Sequence, residues 1–114
     1  MNETTFDKHR RTAFDGARWD SVFSSITAHV HSGDAFEESG DTDAAIDAYD
    51  AAIAEGEQCG LDMFHVYRHA YERIIALLRY SVRRSLLESY IDRYAAHPLD
   101  DETRTRINQI KQSI

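Results

Sequence analysis

Proline occurs once in this 114-residue chain and glycine five times, too few turn formers for an architecture of many short strands. The single cysteine, Cys59, has no internal partner for a disulfide, so cysteine usage gives no sign of an oxidising compartment. No run of about 18 apolar residues occurs, which excludes a helical membrane span on length. Residues 1–13 lack the apolar centre of a secretory signal. A cytoplasmic protein with no membrane partner is expected.

Lysine and arginine are missing altogether between Arg18 and Arg68. Residues 1–62 carry fourteen acids against four bases, residues 63–114 six acids against nine bases, within a net charge of −7. So acidic a half repels a polyanion, and no nucleic-acid partner is expected despite Arg68, Arg73, Arg79, Arg83 and Arg84. The asymmetry predicts attraction between an acidic first half and an arginine-rich second half. A two-signed groove and head-to-tail association remain as alternatives.

The chain is rich in residues that favour helices. Hydrophobic residues make up 42% of it, and its length suffices for a core without disulfides or metal. The expected class is all-α: antiparallel helical hairpins of about five helices, with residues 15–114 as one domain. Residues 1–14, with a basic cluster at Lys8, His9, Arg10 and Arg11, read as a flexible polar arm.

Periodic apolar residues place the helices. Trp19, Val22, Phe23, Ile26, Val30, Gly33 and Phe36 recur at three- and four-residue steps in a first helix from about Ala17 to Ser39. Gly40 ends it, Asp41 or Thr42 caps the next, and Gly56 and Gly60 bracket a connection to Asp62, the expected cap of a third helix. That helix runs from about Met63 to Tyr80. No glycine or proline follows it, but Ser85 and Glu88 have capping-box spacing, which predicts a turn near Ser81 to Arg84. A fourth helix ends at His97 before Pro98. Asp100 or Asp101 caps a fifth, whose Ile107, Ile110 and Ile114 suit a terminal helix over an exposed end of the core.

Chemistry-bearing patterns are sparse. No Ser/His/Asp order, glycine-rich phosphate loop or CxxC pair is present, and the chain reads as non-enzymatic, without a cofactor. The acids around Cys59 (Glu55, Glu57, Asp62) disfavour its thiolate. His65, His69 and Glu72 fall one helical turn apart, a spacing that can chelate a metal, although surface or half-buried histidines bonded to neighbours fit it better.

Gly33, Phe36, Gly40, Ala45, Tyr49 and Ala52 form one constellation. Gly33 and Ala45 let two antiparallel helices approach, Phe36 and Tyr49 fill the space between them, and Ala52 admits the next hairpin. This pattern resembles a tetratricopeptide repeat over residues 27–56. A degenerate second copy, through Ile74, Ile75, Leu78, Leu87, Ile91, Tyr94 and Pro98, covers 63–98. The resemblance implies a superhelix fragment whose first helices line a concave surface for a peptide or partner helix. Its groove positions would be Thr27, Val30, Asp34, Glu37 and Glu38 on the first helix, and His69, Glu72, Ala76, Arg79 and Tyr80 on the third. Val30 and Asp34 replace the residues with which some members clamp a C-terminal carboxylate, and the acidic mouth implies a basic or mixed-charge protein partner. The alternatives are a self-associating homodimer with no open groove and, less favoured, a metal site at His65, His69 and Glu72.

Overall fold

The computed structural model describes the backbone from residue 3 to 114 and side chains from Gly16 onward. The arm expected over 1–14, with its basic cluster, falls outside the described side chains. Five helices follow one another: α1 (Glu3–Glu38), α2 (Thr42–Gln58), α3 (Phe64–Arg79), α4 (Arg84–Ala95) and α5 (Asp101–Gln112). No strand is present among the described residues, and the all-α expectation holds.

Each boundary has a local cause. Gly40 takes φ +82, its N–H bonds to the Glu37 carbonyl, and the Asp41 N–H reaches the Phe36 carbonyl at 2.9 Å. These paired bonds satisfy carbonyls that α1 leaves open, and an L side chain at residue 40 would strain the turn. Asp41 then caps α2 by accepting from the Ala44 amide. Asp100 caps α5 in the same way through Thr103, with Asp101 and Glu102 in the first turn where the helix dipole favours acids. Arg104 donates to the Ala95 and His97 carbonyls and closes the end of α4.

Three local expectations are corrected. Met63, not Asp62, stands at the start of α3, without a side-chain cap and 1% exposed, because burial of its side chain fixes the entry of the helix. The turn near Ser81 exists, but not through a Ser85–Glu88 box. Arg83 precedes α4 without capping it, and the Ser81 hydroxyl organises the turn by accepting from the Arg83 amide and donating to the Leu78 carbonyl. Gly56 lies inside α2, not in a connection.

Consecutive helices pack in antiparallel pairs from α1 to α5, and α1 also meets α3. One core runs through all five, from Ile26 of α1 through Tyr49 and Ile53 of α2, Tyr71 and Ile74 of α3 and Tyr94 of α4 to Ile107 of α5. Burying such a side chain stabilises by about 1.5–3 kcal/mol, against about 0–1 for an exposed ion pair, so the core carries the fold. Phe36, expected inside the first hairpin, is instead 40% exposed. Tyr49 fills that space alone, its ring lying over Gly33.

The glycines at two seams set the helix spacing. A Cβ on Gly33 would stand 2.5 Å from the Tyr49 ring, and one on Gly56 would stand 2.1 Å from the Tyr67 ring. The Tyr49 ring is fully buried within the core and has no exposed side toward which to retreat. Gly16, in the exposed part of α1, faces open space. Urea denaturation of single variants should therefore give opposite signs. Gly33→Ala should lower stability by about 1–3 kcal/mol through overpacking, and Gly16→Ala should raise it by up to about 1 kcal/mol through helix propensity.

Candidate functional site

Between the first hairpin and the rest of the chain, acids and bases are joined through tyrosines. The Tyr49 hydroxyl sits between Asp34 (2.5 Å) and Glu37, while Arg73 donates to Glu37 at 2.6 and 3.0 Å and His69 lies 3.2 Å from Asp34. Tyr71 donates to Glu57, which also receives Arg93 (3.3 Å) and His97 (2.9 Å). Tyr90 donates to Asp50 at 2.6 Å. Tyr94 donates to Glu72 at 2.5 Å, and Arg106 meets the same oxygen at 2.7 Å. Attraction between the oppositely charged halves is thus realised within one chain.

These contacts set the titration of the carboxylates. The Arg73 hydrogen bond holds Glu37 below the ordinary carboxylate range despite its partial burial. Burial pushes Asp34, Glu57 and Glu72 upward, but bonds from their tyrosine, histidine and arginine partners outweigh it, and all three end below the ordinary range. Burial, and then the neighbouring carboxylates, raise the phenols of Tyr49, Tyr71 and Tyr90 strongly and push Tyr94 up to about 12.

The residues expected to line a groove fall into two sets. On α1, Val30 belongs to the core at 9% exposure, and the Thr27 hydroxyl donates back to the Phe23 and Ser24 carbonyls. Asp34 and Glu37 are engaged as above, and Glu38 alone is both exposed and without a side-chain partner among the described residues. On α3, His69 and Glu72 are likewise engaged, while Arg79 and Tyr80 remain accessible. His65 is exposed, and its proposed co-ligands bond to different partners. Among the described residues no group of three or more His, Cys, Asp or Glu side chains is arranged to hold a metal ion.

Two neighbouring cavities of about 210 and 250 Å³ lie against the C-terminal half of α3, and Arg79, Tyr80 and Ile110 line both. The smaller continues over Ser81, Arg84 and Leu87, the larger back along α3 to Glu72 and Arg106. Sequence reasoning missed Arg84, Leu87, Arg106 and Ile110 as groove residues. The available signal was Tyr80 and Val82 in a polar turn, where an aromatic and a β-branched residue have no local role.

Two of the basic residues around this groove differ from the others. Arg18 donates to the Cys59 carbonyl, Arg68 to Asp100, Arg73 to Glu37, Arg83 to Asp43, Arg93 to Glu57, Arg106 to Glu72 and Lys111 to Asp92. Arg104 binds backbone carbonyls. Among the described residues only Arg79 and Arg84 meet no acceptor, and they flank the same cavity.

At the opposite end an open cavity of about 400 Å³ lies beside Gly60, Tyr67, Arg93 and His97. Its charged groups are already joined to one another through Glu57. Tyr67 is 4% exposed and its phenol is pushed up to about 12, first by burial, yet its hydroxyl meets no partner among the described residues. Comparison with protein-family models, with curated proteins and with solved structures gives no match for this chain.

Two predictions follow from the tyrosine–carboxylate contacts. The depressed carboxylates contribute stability that is present above their unfolded-state values and lost as pH falls through the folded ones. The raised phenols contribute stability that is lost as pH climbs beyond their ordinary value. The urea midpoint should therefore hold across neutral pH, fall below about pH 4.5 and fall again above about pH 10. A flat acid limb would refute the carboxylate contacts. Among single variants, Tyr49→Phe should cost about 1–3 kcal/mol because two neighbouring carboxylates lose their shared donor. Tyr67→Phe should stay within about 0.5 kcal/mol, and equal effects of the two would refute the assignment.

Proposed function

We propose that the chain is a non-enzymatic protein-interaction module of tetratricopeptide-like build, which receives a peptide or helix of another protein in the groove at the C-terminal end of α3. The observation that carries this reading is the exposure of Tyr80 (86%) where it lines the two adjoining cavities. A lone exposed apolar residue needs no explanation. Here an exposed aromatic and an apolar floor from Leu87 and Ile110 line one cavity, the composition of an anchor site for a partner side chain.

The helix order supports the tetratricopeptide-like reading: antiparallel neighbours, small residues at the first seam, and contact between α1 and α3 as between the inner helices of a repeat array. The α1 half of the expected concave face contributes little in this proposal, because Val30 is buried and Asp34 and Glu37 bind within the chain. The unpaired Cys59 fits a reducing, cytoplasmic setting.

Replacement of Tyr80 by a photo-crosslinking phenylalanine in the native host tests the reading. Adducts with another polypeptide should form from position 80 and not from a control at Asp47, on the exposed face of α2. Adducts only with a second copy would assign the homodimer instead. Absence of any position-specific adduct would sink the proposal.

A further inference from the structure

Resting on that reading of the groove, we propose that the partner segment is acidic around an apolar anchor residue, and that Arg79 and Arg84 are the receptors for its carboxylates. The charge left available in the groove points this way. In a chain of net charge −7, the described acids at the hairpin seams are joined to internal bases, whereas these two guanidiniums meet no acceptor among the described residues. Both stand at the rim of a cavity whose floor includes Leu87 and Ile110. A guanidinium presents paired N–H donors that match a carboxylate.

Arg84 carries the argument further than Arg79. Arg79 lies in the last turn of α3, where the helix dipole favours a cation, and its guanidinium stands 5.6 Å over the Tyr80 ring. Its position has a structural reason. Arg84 opens α4, whose first turn holds no acid and whose start has no side-chain cap. A cation at that end opposes the dipole. No acid of the described residues is bonded to Arg84, and an incoming carboxylate would meet its guanidinium at the start of α4, where the dipole favours an anion.

The groove suits an acidic peptide better than the two other occupants with matching charge. A nucleic-acid backbone would run into the α1–α2 turn at the same end, where Asp43, which Arg83 reaches at 2.8 Å, is 80% exposed and Asp41 is close by. A second copy of the chain brings the same net charge and is repelled at a distance. A short segment can place its carboxylates at Arg79 and Arg84 and its apolar residue between them without crossing those acids.

Selection of a displayed random-peptide library on the whole protein, followed by affinity measurement on Arg84→Glu and Arg79→Glu, tests the proposal. The enriched pool should carry Asp or Glu around an apolar residue. Its binding should weaken by about tenfold or more in either variant and with rising salt, while Arg84→Glu melts no lower than the unaltered chain. An enriched pool that is neutral or basic would overturn the acidic partner and leave the groove reading standing, as would acidic peptides indifferent to Arg84→Glu. No enrichment by any library would overturn both. Tighter, Arg84-dependent binding of a mixed-sequence oligonucleotide, or self-association by sedimentation that Arg84→Glu abolishes, would overturn it in favour of nucleic acid or a second copy.

Discussion

The placement of tyrosine hydroxyls against carboxylates is the constraint on which the rest of the structure depends. Tyr49, Tyr71, Tyr90 and Tyr94 each put a ring in the core and a hydroxyl at its edge, within reach of an acid on a neighbouring helix. The ring supplies the driving force through its buried area. The hydroxyl supplies the register, because a helix displaced by one turn would bury a phenol without a partner. Three of the acids so engaged, Glu37, Glu57 and Glu72, also receive an arginine from a third element, so one carboxylate joins three parts of the chain. Individually these half-exposed pairs are weak. Their value is that they can all be made only in one arrangement.

The same constraint decides what the surface presents. An acidic first half would by itself offer a negative mouth to a partner. Once Asp34, Glu37, Asp50 and Glu57 are engaged by Tyr49, Arg73, Arg93 and His97, much of that charge is compensated within the fold. The formal charge of a segment thus says little about the potential at its surface until the internal partners are known. The residual character of the α3 groove is cationic and aromatic, opposite in sign to what the composition of α1 and α2 suggests.

Much of the fold was legible in the residues themselves, and the places where it was not are instructive. Five helices, the Gly40–Asp41 turn and the Asp100 cap could be read because each depends on local chemistry within a few positions. Gly33 under Tyr49 could be read because a helical glycine opposite an aromatic has few other uses. Gly56 was misplaced because a glycine near the end of an apolar stripe signals a terminus as strongly as it signals close packing. Only its contact with Tyr67, across a seam to another helix, separates the two. Phe36 and Val30 were misassigned for the related reason that a helix stripe fixes a face to within about one residue in each turn, and the neighbouring helix decides which edge is covered. The groove depended on where α5 lies relative to the end of α3, an arrangement with no local signature in either segment.

The two hairpins differ in how their seams are filled. The α1–α2 seam is built on Gly33 and Ala45, and its helices approach closely along their shared length. Across the α3–α4 seam stand Ile74, Ile75 and Leu78 against Leu87, Ile91 and Tyr94, with no glycine on either helix. Bulkier seams hold helix axes farther apart. At the turn the Ser81 hydroxyl, rather than a glycine, closes the chain, and Tyr80 and Val82 stand exposed on either side of it. α5 is too short and too polar to cover that end, with Ile107 and Ile110 as its only fully buried apolar side chains. The groove lies between that end of α3 and α5, where Arg79, Tyr80 and Ile110 line both cavities.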